Sequence, residues 1–331
     1  MAWLVQPRLV NEPYSDPGLL LDFSFGRRAL LFDLGDLAAL SAREILRVTH
    51  VFISHMHMDH FAGFDRLLRL NLYQPRCVHL IGPPGLCEAV AAKFAAYTWN
   101  LLGPHSADFR VIAEEWSAEG AGCRALFPAR EAFRRQDLPK GAGRAGVPLE
   151  EAEFRVEAAV LDHGIPCLAF AFQESLRVNV HKPALEAAGL PVGPWLTEAK
   201  RAIRRGDPAD AALTVAPGRS MTLGQMTEAG ILRTGPGQRI SYATDLAHTP
   251  PNIERLVALA RGSDMLFIEA GFLAEDAAMA ANKHHLTAAQ AGALARRAGA
   301  VHARPFHFSA RYLGREADLR REFTAAFEER P

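Results

Sequence analysis

One short segment of the chain concentrates residue types that bind metal ions. Residues 54–64 read SHMHMDHFAGF and place His55, His57, Asp59 and His60 within six positions, in a chain that has 13 histidines. In an extended segment His55 and His57 project to the same side, while Asp59 and His60 point elsewhere as the chain turns into a helix. The segment can therefore offer two ligands to each of two cations, and imidazole with carboxylate suits zinc, manganese or iron. The alternative is a histidine-rich polar turn, which fits a lone histidine better than this H-x-H-x-D-H pattern.

Further candidate ligands lie at the ends of later apolar runs. His163 follows the run that ends in VLD, Asp245 ends the run ISYATD, and His307 lies in PFHFS. The ends of successive strands are where a ligand cluster on one rim of a sheet is expected. An aspartate such as Asp245 could bridge two cations, because each of its carboxylate oxygens can contact one of them.

The elements that would position these residues follow from the hydrophobic pattern. Apolar runs bounded by glycine, proline and aspartate predict strands over residues 28–36, 48–55, 77–83, 153–163, 166–174, 239–245, 264–272 and 301–309. Helices are predicted over residues 41–47, 61–71, 86–97, 251–261, 287–298 and 315–329. Two helices begin with capping boxes, Ser41-x-x-Glu44 and Thr287-x-x-Gln290. Paired strands together with strand–helix alternation predict a layered α/β fold with mixed sheets.

The length of 331 residues favours one large domain, residues 1–331, that carries insertions. Residues 117–150 are rich in glycine, alanine, arginine and glutamate, which is typical of a surface insertion. Residues 175–238 have no convincing core strand. This second segment is predicted to form an arm or subdomain inserted between the two halves of the domain.

Composition bears on the compartment and on the partners. The 37 basic and 37 acidic residues cancel, so any attraction to a polyanion must be local. The four cysteines contain no C-x-x-C pair, which argues against a thiolate zinc site and for free thiols in a reducing compartment. No apolar stretch is long enough to span a membrane, and the first residues lack the features of a signal peptide, so a cytoplasmic location is predicted.

Taken together, the motifs resemble those of the metallo-β-lactamase-fold hydrolases, and within them those of ribonuclease Z, the tRNA 3′-processing endonuclease. The superfamily motifs are matched by FDLGD (32–36), SHMHMDHFAGFDRLL, LDHGIPCLAF, YATD and FHFSARY. HHLTAAQAG (284–292) is similar to the His-x-Thr motif of ribonuclease Z, and GLPVGPW (189–195) is similar to the Gly-Pro motif of its tRNA-clamping arm. The resemblance implies a four-layer αββα sandwich of two mixed sheets with an inserted arm.

The resemblance also implies a ligand set and a reaction. The implied ligands are His55, His57 and His163 for one metal, Asp59, His60 and His307 for the other, and Asp245 as the bridge between them. The two divalent cations, zinc with manganese or iron as alternatives, would lower the pKa of a shared water from about 15.7 towards 7, and the bridging hydroxide would attack phosphorus in line. Asp59 would also orient the nucleophile.

A proton donor is implied as well. His285 would protonate the leaving 3′-oxygen, and Glu269, retained in FIEAGF, would orient the imidazole. The alternative for His285 is a surface histidine beside His284. Thr287 and Gln290 are assigned the structural capping role.

The arm is the predicted contact to a tRNA precursor. Residues 177–205 carry six basic and two acidic side chains, an excess of four positive charges: Arg177, Lys182, Lys200, Arg201, Arg204 and Arg205 against Glu186 and Glu198. Such an excess could meet several phosphates. The alternative is an ordinary solvated helix that buries Trp195, Ala199, Ala202 and Ile203 and keeps its arginines outside. The resemblance further implies a homodimer whose arms reach across to the partner's site.

Three functions fit these features. The first is a dinuclear metal-dependent phosphodiester hydrolase of ribonuclease Z type. The second is a hydrolase on the same scaffold that acts on a small molecule, such as a cyclic nucleotide, a phosphodiester or a lactone, and the third is an RNA-binding relative without metals. All seven ligand positions are filled, which argues against the third. An arm directed away from the site would favour the first function, and an arm folded over the metals as a lid would favour the second.

Overall fold

The computed structural model describes residues 3–141 and 143–329. Its strands are, in chain order, β1 (Val5–Leu9), β2 (Leu19–Phe23), β3 (Ala29–Phe32), β4 (Val48–Phe52), β5 (Cys77–Gly82), β6 (Arg110–Ser117), β7 (Gly120–Pro128), β8 (Gln136–Asp137), β9 (Leu149–Glu150), β10 (Phe154–Asp162), β11 (Pro166–Glu174), β12 (Arg177–Val180), β13 (Ala212–Ala216), β14 (Arg219–Thr222), β15 (Leu232–Gly235), β16 (Arg239–Ala243), β17 (Met265–Glu269) and β18 (Ala303–Phe306). Its α-helices are α1 (Ala42–Ile45), α2 (Met58–Phe61), α3 (Phe64–Asn71), α4 (Leu86–Ala95), α5 (Lys182–Ala187), α6 (Trp195–Arg205), α7 (Leu223–Glu228), α8 (Pro250–Leu259), α9 (Ala277–Asn282), α10 (Ala288–Arg297) and α11 (Glu316–Glu328).

Two mixed sheets face each other across an aromatic core. The first sheet has eight strands in the order β1 to β8, and the second has six in the order β18-β17-β16-β11-β10-β9. Phe32 and Phe52 of the first sheet pack on Phe170 of the second, with ring centroids 5.6 and 5.5 Å apart. Tyr242 of the second sheet lies 5.9 Å from Phe32. These rings extend from one sheet to the other and hold the two sheets together.

Helices cover the outer face of each sheet. Buried side chains of α3 and α4, such as Leu67 and Val90, pack on the first sheet. Buried side chains of α8, α10 and α11, such as Leu256 and Phe323, pack on the second sheet. The predicted four-layer αββα sandwich with two mixed sheets is confirmed. Within the described residues, no helix is long and apolar enough to cross a membrane.

Two local expectations are corrected by the structure. Gly120–Pro128, expected to lie in a surface insertion over residues 117–150, forms strand β7, which pairs with β6 and buries Ala125 and Phe127. Glycine and small side chains hide the alternating pattern of this strand. The helix expected over residues 61–71 is two helices, α2 and α3, separated at Gly63. A Cβ at Gly63 would overlap the carbonyl oxygen of Gly35, so this turn packs directly on the backbone of the DLGD loop.

Residues 175–238 form a compact unit with its own small core. They contain α5 to α7 and two two-stranded sheets, β12 with β15 and β13 with β14, where no strand was expected. Side chains such as Leu185, Leu196 and Met226 are buried within this unit. These strands lie outside the two main sheets, and each is only four or five residues long, so their pattern is weak. We call this unit the arm.

The arm is attached at the end of the sandwich opposite to His163. Strand β11 begins at Pro166, three residues after His163, and its nine residues end at Glu174, where the arm begins. Nine extended residues span about 30 Å. The buried Arg204 of α6 donates to the Glu174 carboxylate at 3.1 Å and to the carbonyl of Leu176 at 3.2 Å, which fixes the arm to this end. A buried pair of this kind costs several kcal/mol to break, typically about 3–5.

The arm presents less free positive charge than its sequence suggests. Arg204 is buried in its ion pair with Glu174, Arg177 stacks on the Trp3 ring at 4.1 Å, and Arg205 pairs with two acidic side chains. Helix α6 buries Leu196, Ala199 and Ala202 as an amphipathic stripe, as in the alternative of an ordinary solvated helix. That alternative placed all arginines outside, whereas Arg204 lies on the buried side.

Candidate metal centre

The predicted ligands all lie at one end of the sandwich. His55 lies shortly after β4, His57 is the N-cap of the short helix α2, and Asp59 and His60 lie within that helix. His163 occupies the turn between β10 and β11, Asp245 follows β16, and His307 follows β18. Because the ends of adjacent strands meet at the same rim, residues separated by more than 250 positions come together here.

Asp245 is the hub of the cluster. Its Oδ2 lies 3.5 Å from His55 Nε2, 3.4 Å from His60 Nε2 and 3.6 Å from His163 Nε2. Its Oδ1 lies 3.0 Å from His307 Nε2. One carboxylate therefore contacts imidazoles of both predicted ligand sets, as a bridging ligand must.

The donor atoms form two groups around Asp245. In each, the donor atoms lie within 4.8 Å of one another; the groups are His55, His57, His163 and Asp245, and Asp59, His60 and His307. Asp59 Oδ2 is 3.4 Å from His60 Nε2 and 3.7 Å from His307 Nε2. The structure brings together all seven residues, in the partition that the sequence resemblance implies.

The donor atoms have the features of metal ligands. His55 Nε2 and His60 Nε2 are buried, and neither makes a hydrogen bond within the described part of the chain. An unpaired buried polar nitrogen is costly, typically about 1–3 kcal/mol, and a cation would satisfy it. The other nitrogen of His163, Nδ1, donates to the carbonyl of His284 at 2.9 Å, which leaves Nε2 as the lone-pair donor facing Asp245. These residues therefore fit divalent metal ions.

The charges of the cluster are strongly coupled. Burial and the neighbouring His60 lower the pKa of His55 to about 2. Burial would lower the pKa of His60 too, but the carboxylates of Asp245 and Asp33 outweigh it and raise that pKa well above its usual value. Burial would raise the pKa of Asp59, whereas the imidazole of His60, whose Nε2 lies 3.4 Å from Asp59 Oδ2, brings it to about 2. Asp59 and Asp245, whose pKa values are both lowered, are therefore ionised at neutral pH.

Three residues at the cluster adopt a left-handed backbone conformation. Asp33, Asp245 and His307 have φ angles of 59°, 24° and 58°, in the left-handed region that non-glycine residues rarely adopt. Such conformations cost on the order of 1–3 kcal/mol each and cluster at functional sites. Asp33 and His307 directly follow a strand, and Asp245 is the second residue after one. The backbone strain is therefore located at the rim that carries the proposed ligands.

Asp33 is a site residue to which the sequence assigned no role. Its carboxylate is fully buried and accepts hydrogen bonds from the Ser54 amide at 2.7 Å, the Ser54 hydroxyl at 2.9 Å and the Tyr242 hydroxyl at 2.8 Å. It also lies 2.9 Å from His60 Nδ1. Asp33 thus fixes the orientation of the His60 ring through Nδ1, the nitrogen that does not face Asp245. The Asp-x-Gly strand end in FDLGD was the available sequence signal, but the partners of Asp33 are 21, 27 and 209 positions away.

We predict that Asp33→Asn weakens metal binding without abolishing the fold. Asparagine tolerates the positive φ and keeps the shape, but it removes the charge that faces His60. The metal affinity should fall about 10- to 100-fold, since that is the usual cost of losing a partner behind a metal ligand. Competition with a chelator of known affinity measures this change. A metal affinity equal to that of the unmodified protein would contradict the role of Asp33.

His285 and Glu269 form a pair beside the cluster. His285 Nδ1 lies 2.9 Å from Glu269 Oε2, and Glu269 Oε1 accepts from the Leu246 amide at 2.8 Å. The imidazole centroid of His285 is 4.9 Å from that of His163 and 6.0 Å from that of His307. Burial would lower the pKa of His285, but the charge of Glu269 outweighs it and raises the pKa to about 9. The imidazole is thus held at the edge of the cluster as a protonated group.

The helix that follows His285 is anchored as predicted. Thr287 caps α10, its hydroxyl accepting from the Gln290 amide at 3.2 Å while the Gln290 side chain accepts from the Thr287 amide at 2.9 Å. The predicted box at Ser41 and Glu44 is confirmed as well. Because the N-cap of α10, Thr287, lies two residues after His285, the backbone that carries this imidazole is fixed on one side.

Comparisons with known proteins agree with this geometry. Residues 14–129 match the metallo-beta-lactamase superfamily and residues 172–308 match a beta-lactamase superfamily domain. The fold is also shared by solved structures at low sequence identity. A metallo-beta-lactamase fold protein from Bacillus subtilis has a TM-score of 0.53 at 15% identity, covering 95% of this chain and 86% of its own. The short form of human tRNase Z has a TM-score of 0.52 at 16% identity, covering 93% of each chain.

The similarity is higher to a sequence from Deinococcus radiodurans. Its ribonuclease Z is 33% identical over 329 residues, which is 98% of this chain and 95% of that protein. Similarity of this extent includes the strand ends that carry the ligand cluster as well as the arm. The chain therefore belongs to the ribonuclease Z family of metal-dependent hydrolases, built on the metallo-β-lactamase fold.

Proposed function

We propose that this protein is a dinuclear metal-dependent endoribonuclease that removes the 3′ extension of precursor tRNA. The observation that carries the proposal is the convergence of six histidine and aspartate side chains around Asp245, in a chain similar over almost its whole length to a ribonuclease Z. Imidazole and carboxylate donors suit zinc, and we propose zinc as the resident metal, with manganese or iron as the alternatives.

The proposed ligands follow the two groups around the hub. They are His55, His57 and His163 for one ion, Asp59, His60 and His307 for the other, and Asp245 for both. When bound, two such ions activate a water molecule and neutralise charge on the phosphoryl oxygens. The exposed position of His57 and the half-buried one of Asp59 leave this rim open to a phosphodiester.

The side chains around the cluster perform the remaining steps. Asp59, directed towards His60 and His307, is placed to accept a hydrogen bond from the attacking water and to orient it. His285 donates its proton to the 3′-oxygen as that oxygen leaves phosphorus. Glu269 is a positioning residue, because its carboxylate fixes the His285 ring and keeps Nδ1 protonated, so that Nε2 faces the substrate.

The place of the arm favours a large substrate over a small one. The arm is attached at the opposite end of the sandwich, about 30 Å from the cluster by the length of β11. It therefore does not cover its own site as a lid, which is what the small-molecule alternative requires. We propose that the arm binds the body of tRNA, and that it serves the site of a partner copy in a homodimer.

Two basic residues of the arm are suited to phosphate contact. Lys182 and Arg201 are exposed, and neither is in an ion pair within the described residues. We predict that the double change Lys182→Ala and Arg201→Ala weakens precursor tRNA binding and reduces the slope of log Kd against log salt by about 1–2, since each lost phosphate contact removes roughly one unit. Binding titrations over a range of salt concentrations measure both effects.

Cleavage of a small phosphodiester is the control for the double variant. Its rate should be unchanged, because that substrate does not reach the arm.

A mixing experiment tests whether arms act across a dimer. If they do, mixing the double variant with Asp245→Ala protein should restore tRNA cleavage in hybrid dimers, where one copy supplies the arm and the other supplies the site. An unchanged salt slope would remove the arm from tRNA binding, and mixtures that never exceed their components would contradict action across the dimer.

The proposed function is tested directly on its substrate. Metal-loaded protein is incubated with a 3′-extended precursor tRNA, the products are separated on a gel, and the metals are identified by elemental analysis. Cleavage after the discriminator base supports the proposal. An intact precursor in the presence of protein that holds two metals per chain would exclude it and favour a small-molecule substrate. The four free cysteines and a tRNA substrate are both typical of the cytoplasm, where we place the protein.

A further inference from the structure

A second group of metal-binding side chains lies on the first sheet, apart from the Asp245 cluster. Cys87 in the first turn of α4, Glu115 on β6 and Cys123 on β7 place their sulfur and oxygen atoms within 4.8 Å of one another. The spacing of the cysteines along the sequence argued against a thiolate site. The fold reverses that expectation for these two, because α4 packs on the β6–β7 pair and brings together residues 36 positions apart.

The two β-strand residues lie beside an irregularity in the sheet. The register of β6 and β7 shifts between Glu114 and Trp116, so that Gly122 and Cys123 both lie opposite Glu115. A bulge of this kind is frequent next to functional sites. By strand alternation Glu115 and Cys123 lie on the same face as Ala113 and Ala125, which is the face that α4 covers. There Glu115 Oε1 accepts from the Cys87 amide at 3.1 Å.

The two sulfurs have different surroundings. Arg135 Nη2 donates to Cys123 Sγ at 3.2 Å and supplies positive charge beside this sulfur. Cys87 is fully buried, and burial raises the pKa of its thiol, so this sulfur keeps its proton until something displaces it. Two sulfurs and a carboxylate around one point are a donor set for a thiophilic cation, since thiolate sulfur is the ligand that selects such metals.

We propose that Cys87, Glu115 and Cys123 form a second metal site that binds a thiophilic divalent cation of the Zn²⁺ class. Binding forms two metal–sulfur bonds and one metal–oxygen bond. The two thiol protons are released to solvent, and a water molecule completes four-coordination. The three ligands come from three elements, so the bound ion would tie the start of α4 to the β6–β7 edge and stabilise this part of the sandwich.

Cadmium titration of the holoenzyme tests the site. The Asp245 cluster contains no thiolate, so an ultraviolet sulfur-to-cadmium charge-transfer band reports only on cysteine ligands. We expect one equivalent of Cd²⁺ to produce the band in the unmodified protein, and Cys87→Ala or Cys123→Ser to abolish it. Cys77→Ser is the matched control and should keep the full band. Glu115→Gln should weaken Cd²⁺ binding at least about tenfold, the lower limit for the loss of even an indirect metal partner.

Folding and the main reaction are followed in the same samples. Cys123 is only partly buried, so Cys123→Ser should keep its far-ultraviolet circular dichroism and cleave precursor tRNA within about twofold of the unmodified protein. Zn²⁺ should raise the melting temperature of unmodified holoenzyme and leave that of Cys123→Ser unchanged. Absence of the charge-transfer band, or its persistence in both the Cys87→Ala and Cys123→Ser proteins, would overturn the proposal whatever the outcome of the tRNA assay.

Discussion

Asp245→Ala protein should be purified almost without metal and should cleave precursor tRNA at least about 10³-fold more slowly. Asp245 contacts four imidazoles of the cluster, and both of its carboxylate oxygens are engaged. Alanine removes the carboxylate that contacts imidazoles of both ligand groups, so both proposed ions would lose a ligand at once. A loss of about 4 kcal/mol of transition-state stabilisation corresponds to this factor and is within what a catalytic metal supplies. Elemental analysis and single-turnover cleavage measure the two effects.

The control separates this effect from a general loss of charge. Asp318→Ala removes an aspartate that pairs with Arg315 on the surface of α11, and it should change neither the metal content nor the cleavage rate. Circular dichroism confirms that Asp245→Ala protein is folded. Asp245→Ala protein that retains two metals per chain would show that Asp245 is not the bridge, whatever its rate.

How far the site could be predicted depends on whether a residue acts through local sequence or through distant partners. His55, His57, Asp59 and His60 were predictable because six consecutive positions carry the whole pattern. His163, Asp245 and His307 were predictable because each follows an apolar run, and strand ends meet at one rim. Asp33 received no role because its partners, among them Tyr242 at 209 positions, are brought to it only by the face-to-face packing of the two sheets.

The arm and the edge of the first sheet show the limits of patterns. Arg204 belongs to the basic face of α6 by sequence, yet Glu174 at the end of β11 draws it inside. Nothing local to α6 could indicate that partner. Strand β7 was missed because its glycines and alanines weaken the alternation, and the meeting of Cys87 with Cys123 depends on the packing of that same strand against α4. In both places long-range packing decided the role of a residue.

His285→Ala protein should keep both metals and lose about 10²- to 10⁴-fold in precursor tRNA cleavage, the usual contribution of a positioned proton donor. The side chain lies beside His163 and His307, and its donor atom is grouped with Asp245 and Glu269 but with none of the six other proposed ligands, so its loss leaves those donor atoms in place. The defect should depend on the leaving group. A p-nitrophenyl phosphodiester releases a phenolate that needs no proton, and this substrate should be cleaved within about tenfold of the unmodified rate.

The comparison of the two substrates decides what His285 does. An equal loss on both would mean that His285 stabilises charge on the phosphoryl group and does not protonate the leaving oxygen, and no loss on either would remove it from the mechanism. His302→Ala, which removes an exposed histidine just before β18, is the matched control.

Glu269 completes the test because we propose that it acts on the reaction through His285. Glu269→Gln removes the charge that orients the imidazole and should slow tRNA cleavage about 10- to 100-fold by itself. If Glu269 acts through His285, the double variant should be no slower than His285→Ala alone, since the two residues then form one unit. Additive losses would instead mean that Glu269 supports the cluster separately, through the Leu246 amide that holds the backbone next to Asp245.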